Sequence, residues 1–177
     1  MGELIKFEAK RLPRLKLVGK ELRYNLEAHM KGDNRMPAFW DKCFADETFS
    51  LLEKQTDFIY DNAYVGVMID WDKGDGDFSY IVGMLMKEGV SIPDGYCYRD
   101  IEETDVAIGW IKGKNTADVC SAAHSKSEQS LKEKGYKCDK MKWCMELYNC
   151  PRFTTPDEDG NIILDYYIPI NPKHFHK

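Results

Sequence analysis

The sequence predicts an α+β fold in which antiparallel strands form a curved sheet and two helices cover one face of it. Three observations predict this class. Extended apolar segments occur in pairs that are separated by turns rich in Gly and Asp. Two segments have apolar residues at helical spacing, and each of these segments comes after extended ones. The order of two strands, one helix and two strands also occurs twice along the 177 residues, and hairpins with segregated helices are typical of α+β proteins.

The first half of the chain, residues 1–90, contains one predicted helix between two pairs of strands. Met36-Pro37 opens this helix, because proline is tolerated in a first helical turn. Apolar residues then keep a roughly helical spacing as far as Leu52. The predicted strands are residues 4–9, 15–19, 63–70 and 78–86.

The second half, residues 91–177, repeats this plan after a turn at Ile92-Pro93-Asp94-Gly95. A helix is predicted from the N-cap Asn115 to about Lys134, with Gly135 where a left-handed C-terminal glycine belongs. We expect the two halves to form a single domain spanning residues 1–177. The predicted strands are residues 96–100, 106–111, 140–148 and 162–170.

Composition limits the classes of partner. The chain has 25 basic and 30 acidic side chains and therefore a net charge of −5, which argues against direct nucleic-acid binding. No apolar run is long enough to span a membrane, and the N-terminus lacks a signal-peptide pattern, so we expect a cytoplasmic protein. The six cysteines contain no CxxC pair, and the four histidines show no ligand spacing with them. No metal or cofactor is therefore expected.

The segment 142–148 alternates in a way that predicts a strand with two different faces. One face carries Trp143, Met145 and Leu147, and the other carries Cys144, Glu146 and Tyr148. We expect the large apolar face to meet the helices. A carboxylate with a nearby phenol then lies on the opposite face, which is either simply solvent-exposed or part of a binding site.

Aromatic and sulfur-containing side chains elsewhere supply candidates for the wall of such a site. Aromatic residues make up 12% of the chain. Core packing is the alternative interpretation for each of them, but a Tyr ring with its hydroxyl paired suits a pocket wall, and Met adapts to several ligand shapes. The candidates are Trp40, Trp71, Tyr80, Met84, Trp110 and Tyr166.

Several short motifs occur in an order and spacing that resemble a known family. These are Met36-Pro37-Ala38-Phe39-Trp40, Tyr80-Ile81-Val82-Gly83, Ile92-Pro93-Asp94-Gly95-Tyr96, Lys134-Gly135-Tyr136, Met145-Glu146-Leu147-Tyr148 and Tyr167-Ile168-Pro169-Ile170. Over residues 4–170 the chain resembles the GyrI-like family, also called the AraC-type effector-binding domain. Each motif alone is weak, whereas their order together is specific.

The resemblance implies duplicated strand–helix–strand–strand (SHS2) modules with a ligand cleft on the concave sheet face between the halves. It also implies that Glu146 faces this cleft with Tyr148 beside it, and that the ligands are drug-like compounds, often cationic and aromatic. Many members are fused to DNA-binding regions, and we expect this chain to be a stand-alone version. The expected ligand-binding residues are Glu146, Tyr148, Tyr80, Trp40, Met84, Trp110, Tyr166 and Trp71.

The resemblance leaves several functions open. The leading hypothesis is a sensor or sequestering protein for small molecules, with or without a regulatory protein partner. One rival is a hydrolase of reactive xenobiotics in which Glu146 is the general acid or base and Tyr148 donates a hydrogen bond. A second rival is an inhibitor that interacts with DNA gyrase.

Two further patterns are considered and set aside. The aspartates at 70, 72, 75 and 77 do not match a calcium-binding EF-hand loop, because the sixth and twelfth positions are not Gly and Glu. A hairpin loop is the preferred interpretation. Cys120 and His124 lie four residues apart on the predicted second helix, and we interpret them as a pair on its surface instead of a nucleophile and its base.

Overall fold

The computed structural model describes residues 1–72, 74–138, 142–148 and 151–171. Its strands are β1 (Glu3–Leu12), β2 (Leu15–Asn25), β3 (Ile59–Ile69), β4 (Asp77–Met86), β5 (Cys97–Ile101), β6 (Thr104–Gly113), β7 (Lys137–Cys138), β8 (Trp143–Tyr148) and β9 (Ile162–Asn171). Its helices are α1 (Leu26–Met30), α2 (Met36–Ala45), α3 (Thr48–Glu53) and α4 (Thr116–Glu133), with a 3₁₀ turn at Thr56–Phe58. The predicted α+β class with antiparallel strands is confirmed.

The chain forms two compact units. The middle unit is Arg14–Glu102, and the terminal unit combines Met1–Pro13 with Glu103–Lys177. The sheet of the middle unit has the strand order β3-β4-β2-β5. The sheet of the terminal unit has the order β8-β9-β6-β1, and β7 also pairs with β9.

The two sheets share one pairing plan, in agreement with the predicted repeat. In each unit a hairpin (β3–β4 or β8–β9) continues into the strand that precedes the helices, which is β2 or β6. The outer strands are exchanged relative to the predicted halves, since β1 pairs with β6 and β5 pairs with β2. The units therefore divide after Pro13 and Glu102. The description of the whole chain as one domain stays a prediction.

The segment predicted as a single helix over residues 36–52 forms the two helices α2 and α3. The Asp46 N–H closes α2, and Glu47 then adopts a left-handed backbone with φ of 54°. This turn redirects the chain so that Phe49 and Leu52 are buried. Apolar residues continue across the turn at helical spacing, so the periodicity did not indicate the break.

Two other helix termini follow ordinary capping chemistry. The short helix α1, which is not among the predicted elements, begins where the Asn25 side chain accepts a hydrogen bond from the Ala28 N–H at 3.1 Å. The start of α4 is as predicted, because the Asn115 side chain accepts from the Asp118 N–H at 2.9 Å. Gly135 follows α4 with φ of 73°, also as predicted.

The core of the middle unit lies around β4, which is buried along nearly its whole length. Tyr80, Val82 and Met84 pack in one hydrophobic cluster with side chains from α2 and α3, while Ile81 and Leu85 are buried on the other face. Because both faces of β4 are buried, its sequence is a continuous apolar run and does not alternate between apolar and polar residues.

Strands β2 and β4 approach closely at a pair of glycines. Gly19 lies opposite Gly83. A Cβ atom at Gly19 would lie 2.0 Å from the Val82 carbonyl oxygen, and one at Gly83 would lie 1.9 Å from the Val18 carbonyl oxygen. Only glycine fits at either position without moving a strand.

Helix α4 packs on the sheet of the terminal unit through small side chains. Ala122, Ala123 and Ser127 are buried on its inner face. At Gly109 of β6, an added Cβ would lie 2.2 Å from the Ser127 Oγ, so the Ser127 side chain packs directly on the strand at the position of this glycine. Among the described residues, no helix is long and apolar enough to cross a membrane.

Candidate ligand-binding site

Glu146 lies on β8 with aromatic hydroxyls around it. Cys144, Glu146 and Tyr148 are each partly exposed, whereas the alternating residues between them are buried. The Tyr148 hydroxyl donates to the Glu146 Oε2 at 2.9 Å. Tyr166 of β9 is directly opposite Glu146 in the strand register and therefore shares its face of the sheet. The carboxylate and two phenols predicted to lie together are thus adjacent.

Helix α4 lies on this same face, which corrects the prediction that it meets the face of Trp143, Met145 and Leu147. The Cys120 Sγ of α4 is 3.7 Å from the Tyr148 hydroxyl. The His124 Nδ1 of α4 is 3.0 Å from the Tyr166 hydroxyl. The large apolar face is buried as well, with Met145 and Leu147 both 0% exposed. Alternation separates the two faces, but it does not determine which face a helix covers.

Cys120 and His124 are a surface pair as predicted, since His124 is exposed and Cys120 is partly exposed, but each also contacts a phenol of the sheet. Their spacing of four places them on one side of α4. His124 also meets the Tyr166 ring edge-on, with the ring centroids 5.8 Å apart. Sequence reasoning noted both residues without assigning them to the site. The signal that could have done so is the run of small residues on α4, which brings its neighbouring side chains close to the strands.

The thiols beside Glu146 are held in their protonated form. Burial raises the pKa of Cys120 to about 12, and the negative charge of Glu146 contributes to the increase. Burial also raises the pKa of Cys144 to about 12, again with a contribution from Glu146. Since the thiolate is the nucleophilic form, neither cysteine is prepared for nucleophilic attack near neutral pH. The arrangement favours holding a ligand over a cysteine-based reaction.

Phe153 adds another ring to this surface. It follows β8 and meets the Tyr148 ring edge-on, with centroids 4.7 Å apart. Sequence reasoning missed Phe153, because it lies in the long hairpin connection that carries no strand or helix periodicity. Glu146, Tyr148, His124 and Phe153 form a surface with the buried Tyr166 paired to Glu146, and we call this group the Glu146 surface.

Trp110, which was predicted to belong with Glu146, lies on the opposite face of the same sheet. Trp110 pairs with Asp165 in the β6–β9 register, while Glu146 pairs with Tyr166 in the β8–β9 register. Neighbouring residues of a strand point to opposite faces, so Asp165 and Tyr166 lie on different faces of the sheet. Trp110 shares the face of Asp165, and Glu146 shares the face of Tyr166. The structure therefore does not bring Trp110 together with Glu146.

The other four predicted site residues belong to the middle unit. Tyr80 and Met84 are each 1% exposed, and Trp40 and Trp71 pack against the same cluster. The Trp40 Nε1 donates to the Tyr80 hydroxyl at 2.9 Å. Trp71 stacks on Phe78 with centroids 4.4 Å apart. Within this unit, these side chains have the core contacts that the alternative interpretation predicted.

The acidic turn between β3 and β4 brings three carboxylates together. Asp72, Asp75 and Asp77 each have an oxygen within 4.8 Å of the others. Arg23 pairs with Asp72, and the Asn25 side chain donates to Asp77 at 2.6 Å. These bonds are those of a tight hairpin turn, in agreement with the preferred interpretation of the segment.

Comparison with protein families gives one match that spans nearly the whole chain. The family model for Cass2, described as an integron-associated effector binding protein, matches residues 9–170. No curated protein sequence matches the chain significantly.

Solved structures share the fold at low sequence identity. SAV2435 bound to tetraphenylphosphonium is 16% identical with a TM-score of 0.69, covering 97% of this chain and 98% of that one. A bacterial transcription regulation protein from Staphylococcus aureus MU50 is 16% identical with a TM-score of 0.67, covering 94% and 99%. The integron cassette protein VCH_CASS2 from the mobile metagenome of Vibrio cholerae is 10% identical with a TM-score of 0.62, covering 96% and 99%.

Proposed function

Because the chain belongs to the Cass2 family of integron-associated effector-binding proteins, we propose that it binds a bulky organic cation with aromatic groups. Small-molecule binding is the property of the family. The proposal for the chemical class depends on one observation, which is the partly buried carboxylate of Glu146 with the Tyr148 hydroxyl at 2.9 Å and Tyr166 opposite it.

A cationic aromatic compound complements both components of the Glu146 surface. A carboxylate that is partly removed from water gains from a positive partner, because screening is weaker there than in bulk solvent. Tyrosine and phenylalanine faces attract a cation by roughly 0.5–2 kcal/mol each. Aromatic groups of the ligand add about 25 cal/mol per Å² of apolar area that they bury. A neutral compound of the same shape gains only the last of these contributions.

A solved neighbour supports this ligand class. Tetraphenylphosphonium, which SAV2435 binds, is a permanent cation surrounded by four phenyl rings. That protein shares the fold of this chain over nearly its full length. The compound therefore provides a probe with the charge and the aromatic area that the proposal requires.

Binding of this kind serves either of two roles. A sensor changes the behaviour of a regulatory protein partner when the ligand is bound, whereas a sequestering protein lowers the free concentration of the ligand. The resemblance to a transcription regulation protein supports the sensor role. A sensor can act when it is far less abundant than its ligand, whereas a sequestering protein must be at least as abundant as its ligand.

The charge of Glu146 can be tested by calorimetry with two probes of similar shape. Tetraphenylphosphonium supplies the cation, and triphenylphosphine oxide is the neutral comparison. We expect Glu146→Gln to weaken binding of the cation at least tenfold, about 1.4 kcal/mol, and to weaken binding of the neutral compound less than threefold. Tyr148→Phe keeps the ring and removes the hydroxyl that Glu146 accepts from, so we expect the affinity for the cation to be largely kept.

The matched control is Glu158→Gln, which removes one negative charge at an exposed position of the hairpin loop. It should leave both affinities unchanged. Equal losses of cation and neutral compound in Glu146→Gln would contradict charge pairing. An unchanged affinity for the cation in Glu146→Gln would place the ligand elsewhere on the protein.

A further inference from the structure

The face of the terminal sheet opposite Glu146 contains a tryptophan ring in contact with two cations. The guanidinium carbon of Arg152 is 3.9 Å from the centroid of the Trp110 ring. The Lys6 Nζ is 4.2 Å from the same centroid. Trp110 and Lys6 are opposite each other in the β1–β6 register. The ring therefore already acts as a surface for cations.

A buried carboxylate completes this arrangement. Asp165 is 3% exposed and lies opposite Trp110 on β9. The Arg152 Nη2 donates to the Asp165 Oδ2 at 2.8 Å. Arg152 thus lies over an aromatic ring while its Nη2 bonds an acid, and proteins use both kinds of contact to recognise planar cations.

The hydrogen bonding of the group is incomplete within the described part of the chain. The Trp110 Nε1 and the Arg152 Nε are buried there without an acceptor. A buried donor that lacks an acceptor costs free energy relative to its hydrated state. An arginine that served only to stabilise the sheet would be expected to use its donors more fully.

We propose that Trp110 and Asp165 form a second cation-binding subsite, specific for a planar guanidinium or amidinium group, and that Arg152 fills it as an internal ligand. A soluble compound with such a group competes with Arg152 for the ring and the carboxylate. This subsite is independent of the Glu146 surface, because the two lie on opposite faces of the sheet.

The position of Arg152 allows such an exchange. Arg152 follows β8 in a turn that the Thr155 N–H closes on the Pro151 carbonyl at 2.8 Å. Its side chain is 33% exposed, whereas Asp165 and Trp110 are fixed on β9 and β6. The Arg152 carbonyl separately accepts from the Ile163 N–H at 3.0 Å. Rotation of the side chain alone would therefore open the subsite and leave the backbone in place.

Competition by Arg152 has a measurable consequence. A ligand that binds only the open form has an apparent association constant equal to its intrinsic one multiplied by the fraction of molecules in which Arg152 has moved away. Removing the arginine side chain removes that reduction. The resulting gain in affinity should be confined to compounds that carry a planar cation like the guanidinium group of Arg152.

The test uses phenylguanidine and its neutral analogue phenylurea in calorimetry with the full chain. We expect Arg152→Ala to bind phenylguanidine at least tenfold more tightly than the unsubstituted protein, with no gain for phenylurea. In the double variant Arg152→Ala/Asp165→Asn the gain should disappear. Arg11→Ala removes an exposed arginine that pairs with Glu103 and Asp105 in the same unit, and it should produce no gain.

Other variants separate the outcomes. If Asp165→Asn does not fold, Arg152→Ala/Trp110→Leu removes the ring instead and should also abolish the gain. A folded Arg152→Ala protein with no increase in affinity would overturn the proposal and leave Arg152 as a structural ion pair. Adding Glu146→Gln to Arg152→Ala should not affect phenylguanidine binding, and a loss there would assign the compound to the Glu146 surface and overturn the second subsite.

Discussion

At the scale of single residues, the two thiols next to Glu146 are held in their protonated form. The pKa of both thiols next to Glu146 is raised to about 12, first by burial and then by the carboxylate itself. The Tyr148 hydroxyl lies beside the Cys120 thiol and Glu146, and Tyr166 hydrogen-bonds the Cys144 thiol. A surface with one acid, protonated thiols and aromatic rings is suited to binding a ligand without changing it.

The reactivity of the cysteines tests this view. At pH 8, a thiol with a pKa near 12 is ionised on the order of one part in ten thousand. We therefore expect Cys120 and Cys144 to remain unmodified by iodoacetamide at pH 8 in the native protein and to react in urea, as measured by peptide mass mapping. Rapid labelling of native Cys120 would identify an activated thiol and would restore a covalent mechanism to consideration.

At the scale of elements, helix α4 determines the geometry of the Glu146 surface. Small side chains allow it to contact β6 at Gly109, and this close contact brings Cys120 and His124 to the phenols of β8 and β9. The start of the helix depends on one side chain, because the Asn115 Oδ1 accepts from the Asp118 N–H at 2.9 Å.

Removing this cap should weaken the helix and the protein. We expect Asn115→Ala to lower the free energy of unfolding by about 1 kcal/mol, since the N–H groups of a first helical turn have no partner within the helix. Asn115→Ser, which can accept the same hydrogen bond, should recover most of the loss. Urea denaturation followed by circular dichroism measures both, and equal destabilisation by Ala and Ser would show that the cap is not the stabilising interaction.

At the scale of the whole molecule, the two units use the same pairing plan and similar electrostatic contacts. In the middle unit, the Lys16 ammonium on β2 lowers the pKa of Asp100 through a hydrogen bond. In the terminal unit, the Lys112 ammonium on β6 lowers the pKa of Asp157, and bonds from Asn161 contribute as well. Each contact couples the stability of a unit to the ionisation of one aspartate.

The pH dependence of stability follows from the direction of these changes. A carboxyl group whose pKa is lower in the folded chain contributes its full stabilisation above its unfolded pKa, about 3.9 for Asp. That contribution is lost as the pH falls toward the folded value. We therefore expect the urea midpoint to fall between about pH 5 and pH 3, and to fall less in Asp157→Asn. Glu158→Gln in the same loop is the control, and an equal fall in Asp157→Asn would contradict the role of Asp157.

The predicted alternation of β8 and the position of Glu146 beside the Tyr148 phenol could be obtained from the sequence because they depend on local geometry. Side chains of a strand alternate whatever surrounds it, so Glu146 and Tyr148 share a face in any sheet that contains the segment. The caps at Asn115 and Gly135 are equally local. The order of strands and helices was likewise predicted from turns, periodicity and caps, and the family resemblance implied the same duplicated plan.

The sequence by itself determined the α+β class, the repeated plan, most strands and the shared face of Glu146 and Tyr148 on β8. Only the tertiary structure decided which face of β8 the helix covers, that the outer strands β1 and β5 are exchanged between the halves, and that Trp110 lies with Arg152 and Asp165. These features depend on contacts between residues far apart in the chain. Periodicity in the sequence shows which side chains share a face of a strand or helix. Which other element packs against that face depends on the tertiary structure.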